Sequence, residues 1–183
     1  MKNICIIGLL LTFLYSCSGN SDKEVVEKNK LLIEIKNSEK KMFEDSLMEI
    51  NIGVANNAIK LYSQYANSFP EDTASPEYLF RAGELCKALS MGKLALTYYE
   101  RIEKDYPEFP KLAIVIFMQG YINETQLANY KNAKYHYERY IEKYPKSKFS
   151  EDLKVMIRNL GRTDQELIKS FQEKEKSNVK PNV

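Results

Sequence analysis

Along the chain, small and apolar side chains recur at steps of four and three, and three of these runs end on an aromatic–proline pair. Ala58 to Tyr65 leads to Phe69-Pro70, Ala95 to Ile102 leads to Tyr106-Pro107, and Ala133 to Tyr140 leads to Tyr144-Pro145. Each run places an aromatic four residues after its alanine (Tyr62, Tyr99, Tyr137) and a large apolar residue three further on (Tyr65, Ile102, Tyr140). Steps of four and three hold side chains on one helix face. The alanine lets a neighbouring helix come close and the tyrosine fills the seam. The proline ends the helix because it cannot extend the hydrogen-bond ladder. The runs repeat after 37 and then 38 residues, so the chain reads as an array of similar units.

A second helical pattern precedes each run. Ser75 is placed to cap one such helix, Pro76 suits its first position, and Leu79, Ala82, Gly83 and Cys86 form its apolar stripe. At the same offsets the next copy has Ile116, Gln119, Gly120 and Asn123, with two polar residues where apolar ones are usual. A further copy has Leu153, Met156, Ile157 and Leu160, one residue out of register. The first unit's leading helix is degenerate: Met42, Phe43, Leu47 and Ile50 are periodic but lack the glycine. Thr163 to Glu166 forms a capping box for a terminal helix through Phe171, whose apolar residues are suited to close the end of the stack. Beyond it, residues 172–183 are polar and include Pro181, which predicts a disordered tail.

The first residues follow a different logic. Lys2 is followed by an uncharged, mostly apolar stretch from Ile4 to Tyr15, shorter than the ~20 residues a spanning helix needs, so it reads as a signal-peptide core. It ends in Leu14-Tyr15-Ser16-Cys17, which resembles the bacterial lipobox, in which the cysteine is acylated and becomes the new N-terminus. Tyr15 is bulkier than that pattern prefers. Several acyl chains on Cys17 imply stable membrane attachment, since each buried CH₂ contributes ~0.8 kcal/mol. The expected organisation is a signal peptide over 1–16, the lipidated Cys17 with a small, polar tether and the start of a helix over 17–37, a repeat domain over 38–171, and the tail.

The repeating unit resembles the tetratricopeptide repeat, best over residues 76–107 with Leu79, Ala82, Gly83, Cys86, Ala95, Tyr99, Ile102 and Pro107, and more loosely over about residues 40–160. The period exceeds the roughly 34 residues of the standard repeat. The resemblance implies an all-α fold in which antiparallel helix pairs stack as a short right-handed solenoid of about three repeats with a C-terminal capping helix. The Tyr144-Pro145-Lys146-Ser147 run after an alanine-to-aromatic helix is similar to the BamD-like outer-membrane lipoproteins, though this chain is shorter, with about three units rather than five. That likeness implies a membrane-anchored adaptor for protein partners in the bacterial envelope, within outer-membrane assembly. Ser18 after Cys17, by resemblance to lipoprotein sorting rules, favours the outer membrane, facing the periplasm. A self-associating structural lipoprotein is the rival reading, to which the long segment from Asp22 to Ile50 would contribute.

Composition and candidate chemistry narrow the choice. The 27 basic and 25 acidic side chains nearly cancel and are interleaved, unlike the one-sided basic stripe of a nucleic-acid surface. Cys5 leaves with the signal and Cys17 is acylated, so Cys86 stands alone, without a disulfide partner or a thiolate metal cluster, and reads as a buried structural thiol. His136 is the only histidine; its helix-face neighbours Asn132 and Tyr140 suit neither a triad nor a pair, so it reads as a surface residue. Glu100, Lys104, Glu138 and Glu142 lie at solvated helix spacing. No phosphate loop, zinc helix or calcium loop is present in the sequence, and no enzyme activity, cofactor, metal or small-molecule substrate is expected.

The expected site is a groove. By resemblance, the first helices line a concave face with Glu77, Phe80, Glu84 and Lys87 from one unit and Ile114, Phe117, Tyr121 and Glu124 from the next. The run Leu112 to Met118 is apolar throughout, more than one buried stripe requires. Part of it either faces a neighbouring helix or forms an exposed patch for a partner, and for Phe80 and Phe117 both roles stand open.

Overall fold

The computed structural model describes residues 18–44 and 51–178, and every regular element among them is a helix. The elements are α1 (Ser18–Glu44), α2 (Ile52–Ser68), α3 (Ser75–Ala88), α4 (Gly92–Asp105), α5 (Leu112–Thr125), α6 (Tyr130–Lys143), α7 (Lys148–Asn159) and α8 (Asp164–Asn178). Each helix from α1 to α6 packs on the next in chain order, which is the pairing of a helical solenoid. The signal segment, Cys17, Leu47 and Ile50 lie outside the described residues.

The repeat device works as the spacing predicts. Ala58, Ala95 and Ala133 are fully buried, and Tyr62, Tyr99 and Tyr137 are buried beside them. The rings of Tyr99 and Tyr137 lie so close to Gly83 and Gly120 that an added Cβ would fall 2.8 Å and 2.5 Å from ring carbon. Glycine is required there by close approach, not by backbone conformation. Each second helix ends on its aromatic: Phe69, Tyr106 and Tyr144 leave the helical region, and their N–H groups donate to the carbonyls of Tyr65, Ile102 and Tyr140. The proline that follows each aromatic disfavours helical geometry at that residue.

Four details differ from the sequence-based expectation. Ser75 does not cap α3; it is buried within the first turn, and its hydroxyl donates to the Phe69 carbonyl instead. Ser150 repeats this bond to Tyr144 at the start of α7. The first unit's leading helix lies upstream of the expected stripe. Leu31, Ile35 and Ser38 bury against α2, Met42 is its last described contributor, and Lys28 ties the helix to Asp72 in the α2–α3 loop. The segment from Ser18, expected to be a tether, is already helical in α1. Lastly, α8 runs to Asn178 and takes in residues expected in the tail.

The end of the stack is closed mainly by α7, through buried Leu153 and through the Phe149 ring 4.8 Å from that of Phe117. α8 opens with the expected capping box, in which Thr163 and Glu166 exchange hydrogen bonds, yet it packs only sparsely and leaves Ile168 56% exposed. Two substitutions within the repeat account for this. Ile157 stands four residues after buried Leu153, as Gly83 does after Leu79 and Gly120 after Ile116, and Leu167 is the fourth residue of α8, as Ala95 is of α4 and Ala133 of α6. Both small residues that allow close approach are replaced by bulky ones.

Candidate functional site

The eight groove residues sit on the first helices of two adjacent units, but they divide into different tasks. On α3, Glu77 is held by both Lys111 and Arg81, with Lys111 Nζ 2.8 Å from either carboxylate oxygen. Phe80 packs between units, its ring centroid 5.9 Å from Tyr99 and 6.1 Å from Phe109, with the Lys111 ammonium over its face. Phe117 is likewise packed, against Tyr121, Tyr137 and Phe149. The exposed members are Ile114 at 44% and Tyr121 at 37%, one helix turn to either side of Phe117.

Two shallow clefts run along this side. One, of about 540 Å³, is lined by Lys87, Phe117, Met118, Tyr121, Thr125 and Gln126, and so lies between α3 and α5. The other, of about 420 Å³, brings Glu77, Phe80 and Glu84 together with Glu39 and Met42 of α1, Tyr62 of α2, and Arg81 and Leu85. Ile114 and Glu124 line neither cleft. The groove expected from sequence draws only on α3 and α5, so it leaves out Glu39 and Met42 of α1, although Met42 belongs to the expected stripe of the first unit. Met118 was visible in the apolar run but was not assigned to the groove.

Behind the groove lies a repeated polar device that the spacing did not announce. The hydroxyls of Tyr62, Tyr99 and Tyr137 donate to Glu39, Glu84 and Glu124 respectively. For all three tyrosines, burial and then the hydrogen bond to the carboxylate push the phenol pKa far up, so each remains a donor throughout the physiological range. These buried rings therefore hold fixed carboxylates on the first helices: Glu39 and Glu84 line the second cleft, and Glu124 lies one turn beyond Tyr121 at the edge of the first. Two of the carboxylates also meet a cation: Arg81 Nη1 lies 2.7 Å from Glu39, and Lys87 Nζ lies 2.8 Å from Glu84.

A second polar cluster occupies a cleft of about 610 Å³ between α4 and α6, over α5. Buried Gln119 donates to Glu103, which also accepts from Arg139, and buried Asn123 donates to the Gln119 carbonyl. These contacts satisfy the polar residues that replace the usual apolar pair. Burial alone would raise the Glu103 pKa, but hydrogen bonds from Arg139 and Gln119 and the guanidinium charge together hold it below the usual carboxylate value. His136 is half-buried here rather than on the open surface, and its Nδ1 is buried without a partner. Burial, followed by the Arg139 charge, lowers its pKa. Cys86 is fully buried, and burial pushes its thiol up to about 11. Among the described residues, no group of three or more His, Cys, Asp and Glu side chains is placed to hold a metal ion. No described helix is long and apolar enough to cross a membrane.

Residues 115–147 match the tetratricopeptide repeat family. The matched span starts inside α5, takes in α6, and ends at Ser147 after the third aromatic–proline pair. No curated protein matches the chain. The match supports a tetratricopeptide repeat protein, and the all-helical architecture of adjacent packed pairs agrees with it. Proteins built from this repeat are typically non-catalytic scaffolds that mediate protein–protein contacts.

Proposed function

We propose that this chain is a membrane-anchored adaptor that offers the α3–α5 side of its repeat array to a protein partner in the bacterial envelope, within outer-membrane assembly. The observation that carries the reading is the exposed pair Ile114 and Tyr121 beside the Phe117–Met118 floor, in a chain with a tetratricopeptide repeat match. Apolar surface held open on a rigid helical face is the ordinary form of a peptide or helix docking site. The anchor rests on the likeness of Leu14 to Cys17 to a lipobox, and the outer-membrane placement on Ser18.

The test is a crosslinking capture from intact cells with the wild type and an Ile114→Ala/Tyr121→Ala variant. These two side chains are exposed, so helical content should be unchanged. A partner captured by the wild type and lost from the folded variant supports the adaptor. Equal capture by both, or capture of this chain alone, overturns it. Fractionation of Cys17→Ala tests the anchor separately, since an unlipidated chain that stays with the membrane contradicts it. Self-association is the second reading, favoured by the sparsely packed α8 and by Val155, 47% exposed on α7. A concentration-dependent dimer in sedimentation would support it over a monomeric adaptor.

A further inference from the structure

The three tyrosine-anchored glutamates are not equivalent. Glu39 is neutralised by Arg81 and Glu84 by Lys87. Glu124 accepts the Tyr137 hydroxyl at 2.6 Å on Oε2, and among the described residues it has no cationic partner. The difference originates in the repeat itself. In α3 the positions in question hold Glu84 and, one turn on, Lys87; in α5 they hold Tyr121 and Glu124. The carboxylate has taken the lysine's place and no cation replaces it. The next helix does not make up the loss: Lys154 is engaged by Glu151 at 2.7 Å, and Arg158 forms no ion pair among the described residues. Glu124 is partly buried, and its second oxygen, which accepts no hydrogen bond, is not closed off from solvent.

Phe117, Tyr121 and Glu124 follow one another at steps of four and three, so they lie in one stripe along α5. A carboxylate fixed by a buried phenol beside two aromatic faces is complementary to a cation carried on an apolar stem. The geometry points to Glu124 as the acceptor for a lysine or arginine side chain of the docked partner, whose apolar neighbour lies on Phe117 and Tyr121. This rests on the groove reading and adds the partner's chemistry to it: a basic–apolar pair rather than an acidic segment.

The probe is a positional-scanning library of octapeptides, acetylated and amidated so that only side chains carry charge, bound to the full-length chain in detergent. The wild type should select lysine or arginine beside a large apolar residue. Glu124→Gln, which keeps an oxygen for the Tyr137 hydroxyl, should bind those peptides about tenfold more weakly. It should retain the apolar preference and the wild-type circular dichroism. Glu138→Gln, which removes an equal charge from an exposed carboxylate on α6 that lines no cleft, should leave the basic preference intact. An apolar selection without a basic one overturns the assignment while leaving the groove reading standing. So does a basic selection that survives Glu124→Gln, or that falls equally with Glu138→Gln. Absence of any selected peptide from the wild type overturns both.

Discussion

An added Cβ comes closer to its neighbours at Gly120 than at any other described glycine, and replacing it with alanine tests how the helix pairs are held. A Cβ at that position falls 2.5 Å from Cε1, 2.6 Å from Cδ1 and 3.2 Å from Cζ of Tyr137. The ring has nowhere to retreat: it is fully buried, its face lies 6.0 Å from that of Phe117, and its hydroxyl is tied to Glu124. Overpacking of this kind costs about 1–3 kcal/mol. If the ring tilts away instead, it strains or breaks a hydrogen bond to a charged group worth about 1.5–3 kcal/mol. Alanine returns about 1 kcal/mol of helix propensity. The balance is a net loss of about 1 kcal/mol, reaching about 2 kcal/mol at the upper end of these ranges, with Gly83→Ala smaller because its Cβ stops 2.8 Å from Tyr99. Urea denaturation followed by circular dichroism reads the loss, and a Tyr137→Leu background isolates its cause. With the ring gone, Gly120→Ala should become neutral or stabilising by up to about 1 kcal/mol, in line with propensity alone. Equal losses in both backgrounds, or no loss in the wild type, would refute close approach as the reason for the glycine.

Two further outcomes follow from local geometry. Ala128 and Ser90, in the loops that join the helices of two successive pairs, hold φ values of 49° and 57°. A left-handed backbone costs a side-chain-bearing residue about 1–2 kcal/mol, and glycine loses about 0.4–1 kcal/mol through unfolded-state entropy, so Ala128→Gly should stabilise by about 0.5–1 kcal/mol in thermal melts. Unchanged or lowered stability would contradict the loop geometry. For His136, the folded pKa lies below the unfolded value near 6.5, so the unfolded chain takes up the proton first and stability falls as pH drops through that value. Melts at pH 7.5 and 5.5 should show a decline that His136→Phe diminishes, because no other histidine titrates in that window and Glu103, held below its ordinary value, titrates only at lower pH. An equal decline in both proteins would rule out His136 as its source.

The second helices were legible because one residue pattern carries the whole physical instruction. Alanine, tyrosine, large apolar and aromatic–proline each fix a different feature, and all three copies fold as their spacing requires. The first helix of the array was not legible in the same way. Its inward residues are Leu31, Ile35 and Ser38, and none of them is a glycine that would have set the register. The expected stripe of Met42, Phe43, Leu47 and Ile50 therefore misses these upstream residues; of its own members Met42 packs on the core, and Leu47 and Ile50 lie outside the described residues. Ser75 misled for a related reason. A serine before proline matches a helix cap in sequence, but the buried turn at Phe69 offers its hydroxyl a carbonyl nearer at hand.

The candidate site shows where periodicity stops being informative. Repeat positions placed Phe80, Phe117 and Tyr121 on the correct side of the array, but they do not distinguish a ring that fills the space between units from one that faces solvent. That distinction depends on neighbours from other units: Phe109 and Lys111 cover Phe80, while Phe149 meets Phe117 and leaves Tyr121 over an open cleft. Charge follows the same rule. Glu84 and Glu124 look alike in sequence, each beside an aromatic-rich run, yet one is neutralised within its own helix and the other is not. The shift of a glutamate by one helical turn keeps its bond to the seam tyrosine, because the phenol reaches either position, and removes only the lysine. Packing in the core is thereby conserved between units while the face presented to a partner changes from a closed ion pair to an unpaired carboxylate. Repeat arrays can in this way vary their surface without disturbing their seams, and in this chain that variation falls between α5 and the end of the stack.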